Sequence, residues 1–211
     1  MADNKGAKHS EESKLNKLKH FFGIRASKAG TLNVGNARPQ PQEFTLTREL
    51  LKDLSQGTPA NHRLKTIREL SEVIQCKRLE ENAVEVIWLT VQDLLDPKVA
   101  TDDRHLALRF LQNLVRGQYQ QLGMMRAQFF RVIKSHDLIE DLPQRLELFQ
   151  ALTSDGKDLL LFEEETGPFL LDWMKIALAS PCVAPFLSLV INVIKFNAVY
   201  LDEDIVKGLI L

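Results

Sequence analysis

The chain has 211 residues, 45% hydrophobic and 26% charged, a balance that suits a soluble globular protein with apolar material for a core in one or two domains. Its formal charge of -1 hides an asymmetry: residues 1–44 carry eight Lys/Arg against four Asp/Glu, and the remainder carries nineteen against twenty-four. So mildly acidic a body excludes a broad electrostatic footprint for nucleic acid. Two cysteines, Cys76 and Cys182, without a CxxC pair or a secretory leader, read as reduced, buried thiols of a cytosolic protein.

In chain order, residues 1–9 read as a disordered tail. Residues 10–23 read as a short basic amphipathic helix, with Ser10 as N-cap, Glu11 and Glu12 in the first turn and Gly23 at the exit. Leu15, Leu18 and Phe22 share one face of it, ringed by Lys14, Lys17 and Lys19. Three readings of this helix stand side by side: a cap on the first repeat, a partner-docking element, or a membrane-surface adaptor using its lysines. A Gly/Asn/Pro-rich flexible linker follows over 24–44.

From 45 onward the pattern is helical, with no alternating strand. A short helix follows Thr45/Thr47, with Gly57, Pro59 and Asn61 closing the turn behind it. The remainder falls into pairs: 61–75 with 79–95, 102–116 with 119–134, 141–152 with 158–178 (broken at Gly167–Pro168), and 182–196 with 202–211. The first helix of each pair carries an apolar triplet at i, i+3, i+6: Ile67-Leu70-Val73, Leu108-Leu111-Leu114, Leu146-Phe149-Leu152 and Leu187-Val190-Val193. Their leading members are 41, 38 and 41 residues apart, the interval of HEAT and armadillo repeats. The expectation is an all-α, HEAT/armadillo-like α-solenoid of about four helix pairs over 45–211, against a non-repeating helical bundle.

Residues 176–194 contain no charged side chain, between Lys175 and Lys195. A stretch of that length can cross a membrane. Pro181 and Pro185 interrupt it, however, and Ser180-Pro181 reads as an N-cap and first-turn pair. The segment is therefore expected to hold the end of one repeat helix, a turn and the start of the next.

No catalytic or phosphate-loop motif is present; Ser154-Asp155-Gly156-Lys157 reads as a helix-ending turn, and the five histidines lack ligand spacing. Neither a cofactor nor a metal is expected. Glu163-Glu164-Glu165 and Asp202-Glu203-Asp204 read as solvated faces and caps, because consecutive carboxylates fan around a helix axis. Arg104, Arg109, Arg116, Arg126 and Arg131 populate successive helices of one repeat and read as a solvated ridge or a contact for a protein partner. The candidate partner-binding residues are the bases and aromatic residue of 102–134 taken as exposed: Arg109, Tyr119, Arg126 and Arg131.

Several ordered strings add to this: KLNKLKHFFGI before a proline-bearing linker, EFTLTRELLKDLS, LEENAVEVIWLTVQDLL, QLGMMRAQFFRVIK, RLELFQALTSDGK and VINVIKFNAVYLDEDIV. From about Lys14 to about Val206 they resemble the N-terminal region of the tuberin family. The resemblance implies a HEAT-like solenoid that binds the coiled-coil protein hamartin, in a complex that activates GTP hydrolysis by the small GTPase Rheb and restrains target-of-rapamycin signalling. It implies a cytoplasmic protein, peripheral on endolysosomal membranes within that complex, with no nucleic-acid partner and no membrane-integral segment. The family's GTPase-activating domain lies at its far C-terminus, so no catalytic residue is carried over and the chain is not expected to be an enzyme. The uncapped, apolar ending DEDIVKGLIL is expected to mark a truncated repeat domain.

Overall fold

The computed structural model describes residues 43–210, which form an all-α solenoid with no strand longer than an isolated bridge. The tail 1–9, the helix over 10–23 and nearly all of the linker lie outside the described residues. Phe44, at the end of the expected linker, is buried: its N–H donates to the Arg78 carbonyl at 2.7 Å and it bridges to Leu79.

The first helix is α1 (Arg48–Leu54), whose N-cap Thr47 accepts from the Leu50 N–H, as a short polar side chain does at a helix start. Four pairs follow: α2 (Ala60–Cys76) with α3 (Ala83–Val91), α4 (Thr101–Gly117) with α5 (Met125–Ser135), α6 (Leu142–Leu152) with α7 (Glu163–Ala177), and α8 (Val183–Asn197) with α9 (Glu203–Ile210). The first helices of the pairs start at Ala60, Thr101, Leu142 and Val183, each 41 residues after the last. Ile67, Leu108, Phe149 and Val190 therefore occupy one register, all nearly fully buried. Two of the expected triplets were aligned one turn early: Leu187 is 40% exposed, and Leu146 belongs to the turn before the register position.

Burial explains the pairing. Leu108, Leu111 and Leu114 face α2 and α6 on either side of α4, while aromatic side chains fill the later repeats. Phe130 stacks on Phe162 with ring centroids 4.5 Å apart, and Phe149, Phe169, Trp173 and Phe186 continue as edge-on or tilted contacts. Gly117 lets α4 approach α2, since a Cβ there would lie 2.0 Å from the Ile74 carbonyl oxygen. Gly167 and Gly208 do the same between α7 and α9, where added carbons would meet Ile205 and Leu171 at 2.8 Å.

Helix α7 is continuous through Gly167–Pro168, which corrects the expected break. Pro168 stands in its second turn and is exposed, so the helix forgoes only the bond to the carbonyl of Glu164, itself exposed. Ser180 is a turn residue, its hydroxyl donating to the Ala177 carbonyl and accepting from the Cys182 N–H, and the helix begins only at Val183. The charge-free stretch is thus divided between α7, a turn and α8. With its 3-10 extension, Val183–Tyr200 is one helical stretch among the described residues long and apolar enough to cross a membrane by length and composition. One face of it is buried through Phe186, Leu189, Val190 and Val193, and Asn192 and Asn197 donate to the Asp155 and Gly156 carbonyls.

Candidate protein-interaction surface

The first helices stack closely, α2 on α4 and α4 on α6. Between the second helices α3 and α5 the Trp88 ring stands edge-on to Phe129 at 5.8 Å. Above that contact they leave a groove of about 1070 Å³. Leu79, Trp88 and Leu122 form its buried floor. Leu89 on α3, 58% exposed, and Met124 at the start of α5, 75% exposed, stand on opposite walls. Glu81 and Glu85 line the α3 side and Arg131 the α5 side, all exposed.

The four candidate partner-binding residues separate into two groups. Arg109 and Arg131 are exposed, and Arg131 lines the groove. Arg126 is buried, which removes it from the surface. Its guanidinium donates to the Asp158 and Leu160 carbonyls, pairs with the Asp158 carboxylate at 3.1 Å and lies 5.0 Å over the Tyr119 ring. The half-buried Tyr119 donates its hydroxyl to the same carboxylate at 2.7 Å, and burial pushes its phenol above the ordinary value. Arg126 and Tyr119 come together, then, as an internal staple between α5 and the 153–162 connection.

The expected arginine ridge is further divided by a buried series. Arg63, Arg104 and Arg145 occupy the fourth position of α2, α4 and α6, 41 residues apart, and all three are buried. Arg63 grips the Asp93 carboxylate with both terminal nitrogens at 2.6 and 2.7 Å and donates to the Leu54 and Thr90 carbonyls. Arg104 donates through Nε to Asp141 at 2.7 Å and through Nη2 to Glu140 at 2.9 Å. The fully buried Asp141 carboxylate also receives His136 Nε2 at 2.7 Å, while His105 Nε2 lies 2.8 Å from its other oxygen and 3.2 Å from the Glu140 carbonyl. Burial alone would raise its pKa, but the bonds and charge of Arg104 and His136 outweigh that and hold it below the usual carboxylate range.

Arg145 has no such carboxylate, because the position in register with Asp141 is Cys182. Its Nη2 donates to the Ile133 carbonyl, its guanidinium lies 5.2 Å over Trp173, and its Nε has no protein partner. Burial pushes this guanidinium down to about 10, against the opposing pull of Asp137 and Asp141. The signal for these residues is present in the sequence as arginines recurring at the 41-residue repeat period, beside the apolar triplets.

These clusters are built to join repeats. The oxygens of Asp141 are taken up by the buried Arg104 and His136, and among the described residues no group of His, Cys, Asp or Glu is arranged to hold a metal ion. Glu163, Glu164 and Glu165 occupy the first turn of α7, and Glu203 and Asp204 that of α9, where the helix dipole favours acids. The Ser154–Lys157 segment is a closed turn whose Asp155 and Lys157 N–H groups bond the Gln150 and Thr153 carbonyls. Cys182 is buried as expected; Cys76, the last residue of α2, is exposed, against the expectation of a buried thiol.

Stacked helix pairs with a groove between second helices define a helical-repeat protein of the α-solenoid class. The family model described as a domain of unknown function (DUF3384) matches residues 60–211, and the chain belongs to that family. A solved structure described as that of the TSC2 N-terminus is similar in fold, with a TM-score of 0.66 and 22% sequence identity over 77% of this chain. The match covers 43% of that chain, so the present sequence spans less than half its length. The tuberin resemblance of the ordered strings and the all-α solenoid are borne out by these comparisons, and the chain is a tuberin-like helical module.

Proposed function

We propose that this chain is a non-catalytic interaction module that binds a hamartin-like coiled-coil protein within a complex activating GTP hydrolysis by a Rheb-like small GTPase, and so restrains target-of-rapamycin signalling. The observation that carries this reading is the solenoid itself, in which the second helices α3 and α5 leave a groove between them while the buried polar groups serve to join repeats. In this reading the protein is cytoplasmic and reaches endolysosomal membranes peripherally, through the assembled complex. Amphipathic helices laid along a solenoid bury apolar stripes without requiring chemistry from the scaffold.

The test is co-expression with hamartin's coiled-coil region, followed by size-exclusion chromatography with light scattering, each chain alone serving as control. A discrete joint species is expected; two species that stay separate overturn the proposal. Addition of the chain alone to GTP-loaded Rheb is expected to leave hydrolysis at its intrinsic rate, and an acceleration would overturn the non-catalytic assignment.

A further inference from the structure

We infer that the groove between α3 and α5 is a docking site for one amphipathic partner helix whose apolar stripe carries large side chains and whose flanks carry Lys or Arg. This rests on the reading of the chain as an interaction module and assigns it a surface and a partner chemistry.

Size is the first argument. At about 1070 Å³ the groove stands at the top of the roughly 300–1000 Å³ range of small-molecule clefts. Its α3 wall runs from Asn82 to Gln92. At 1.5 Å per residue that wall is about 15 Å long, room for about three turns of a helix.

Apolar character is the second. Leu89 and Met124 project from opposite walls over a floor containing Trp88, so a Leu or aromatic side chain entering between them meets apolar carbon on three sides. A thioether adapts its shape to such an entrant, which suits Met124 and its neighbour Met125, also in the lining.

Charge decides the occupant. Glu43 is held by Arg78 at 3.6 Å, and Glu80 accepts the Leu46 N–H at 2.8 Å, so these neutralise one another or serve the fold. Glu81 in the turn before α3 and Glu85 in its first turn remain, against Arg131 on the other wall. A helix with basic flanks meets two carboxylates there, whereas one with acidic flanks meets them as like charges.

The experiment uses the full chain and two synthetic probes of about 18 residues, identical in an i, i+3/i+4 leucine stripe and flanked by Lys in one and Glu in the other. Binding is followed by Trp88 fluorescence, with a Trp173→Phe background removing the second indole, and by calorimetry on the unmodified chain. The Lys-flanked probe is expected to saturate, at least about tenfold tighter than the Glu-flanked one, and to weaken with salt. Glu81→Lys with Glu85→Lys is expected to reverse that order, and Leu89→Asp to abolish binding of both, with thermal unfolding unchanged because all three side chains are exposed. Equal affinities, no saturable binding of either probe, or indifference to these substitutions overturns the inference, as does self-association of the chain that Leu89→Asp removes.

The same variants separate this inference from the broader proposal. If the wild-type chain joins the coiled-coil region and the groove variants join it equally well, the groove is the wrong surface and the proposed function stands. If the probes discriminate as expected while the coiled-coil region stays apart, the groove is a helix site and that partner is wrong.

Discussion

Asp141 is the residue whose replacement tests the account of repeat joining most directly. It is fully buried at the start of α6 and accepts from Arg104 Nε and His136 Nε2 on one oxygen and from Arg104 Nη2 on the other. In Asp141→Asn the amide keeps one acceptor oxygen and turns its NH2 toward donors, and the buried Arg104 loses its nearest carboxylate. Removing one partner of a buried ion pair costs about 3–5 kcal/mol. Glu140 still reaches Arg104 at 2.9 Å from a half-exposed position, which places the expectation at the lower end, about 3 kcal/mol. For a domain of this size that corresponds to a fall in Tm of about 6–12 °C, read by circular dichroism or calorimetry.

The pH dependence carries the same signature. Because Asp141 is held below the usual carboxylate range, its contribution is present above the unfolded value of about 3.9 and is lost as pH falls through the lower folded value. Wild-type protein should therefore lose stability toward the variant in that acid window, and the two unfolding midpoints should converge there. The double replacement Arg104→Met with Asp141→Leu should cost less than the sum of the single changes, since no charge is left buried and unpaired. A Tm fall under about 2 °C for Asp141→Asn, or strict additivity in the cycle, would refute the assignment of this cluster as the joint between the second and third pairs.

Other expectations follow from the same packing. Gly117→Ala should lower stability by about 2 kcal/mol or more in urea unfolding, because the new Cβ meets the Ile74 backbone and the helices must separate, while Gly57→Ala, with open space around it, should be neutral or slightly stabilising. Arg126→Ala should cost about 2–3 kcal/mol by thermal unfolding, since it strips charged hydrogen bonds from Asp158 and the stack from Tyr119, whereas Arg131→Glu on the exposed groove wall should stay within about 0.5 kcal/mol. If Arg131→Glu destabilises as much as Arg126→Ala, the division into buried staple and exposed wall is wrong.

Much of the architecture was legible in the chain. Apolar spacing located the helices, and Thr47 marked a start that the structure places one residue away, at Arg48. The four groups of apolar triplets marked the repeat, though a helix presents such triplets in adjacent turns, and the choice of Leu146 over Phe149 displaced the third and fourth by one turn. Pro168 misled because a proline early in a helix sacrifices a single bond, which Phe169, Leu170 and Trp173 packing behind it offsets. The candidate site was less legible. Arg126 and Arg131 are five residues apart on one helix and look alike in sequence; only the 153–162 connection folding back over Arg126 makes the first internal and leaves the second on a groove wall.

What the sequence by itself determined is the helical, repeating character of the chain, because helix formation and amphipathic periodicity depend on residues three and four apart. What the tertiary structure decided is which of many similar charged side chains are buried and where neighbouring helices separate. Those outcomes depend on pairs such as Gly117 with Ile74, Arg104 with Asp141 and Trp88 with Phe129, at least 37 residues apart in sequence. A glycine lets the first helices close together and a tryptophan packs edge-on to a phenylalanine between the second helices, and neither contact exists until the chain has brought the partners together.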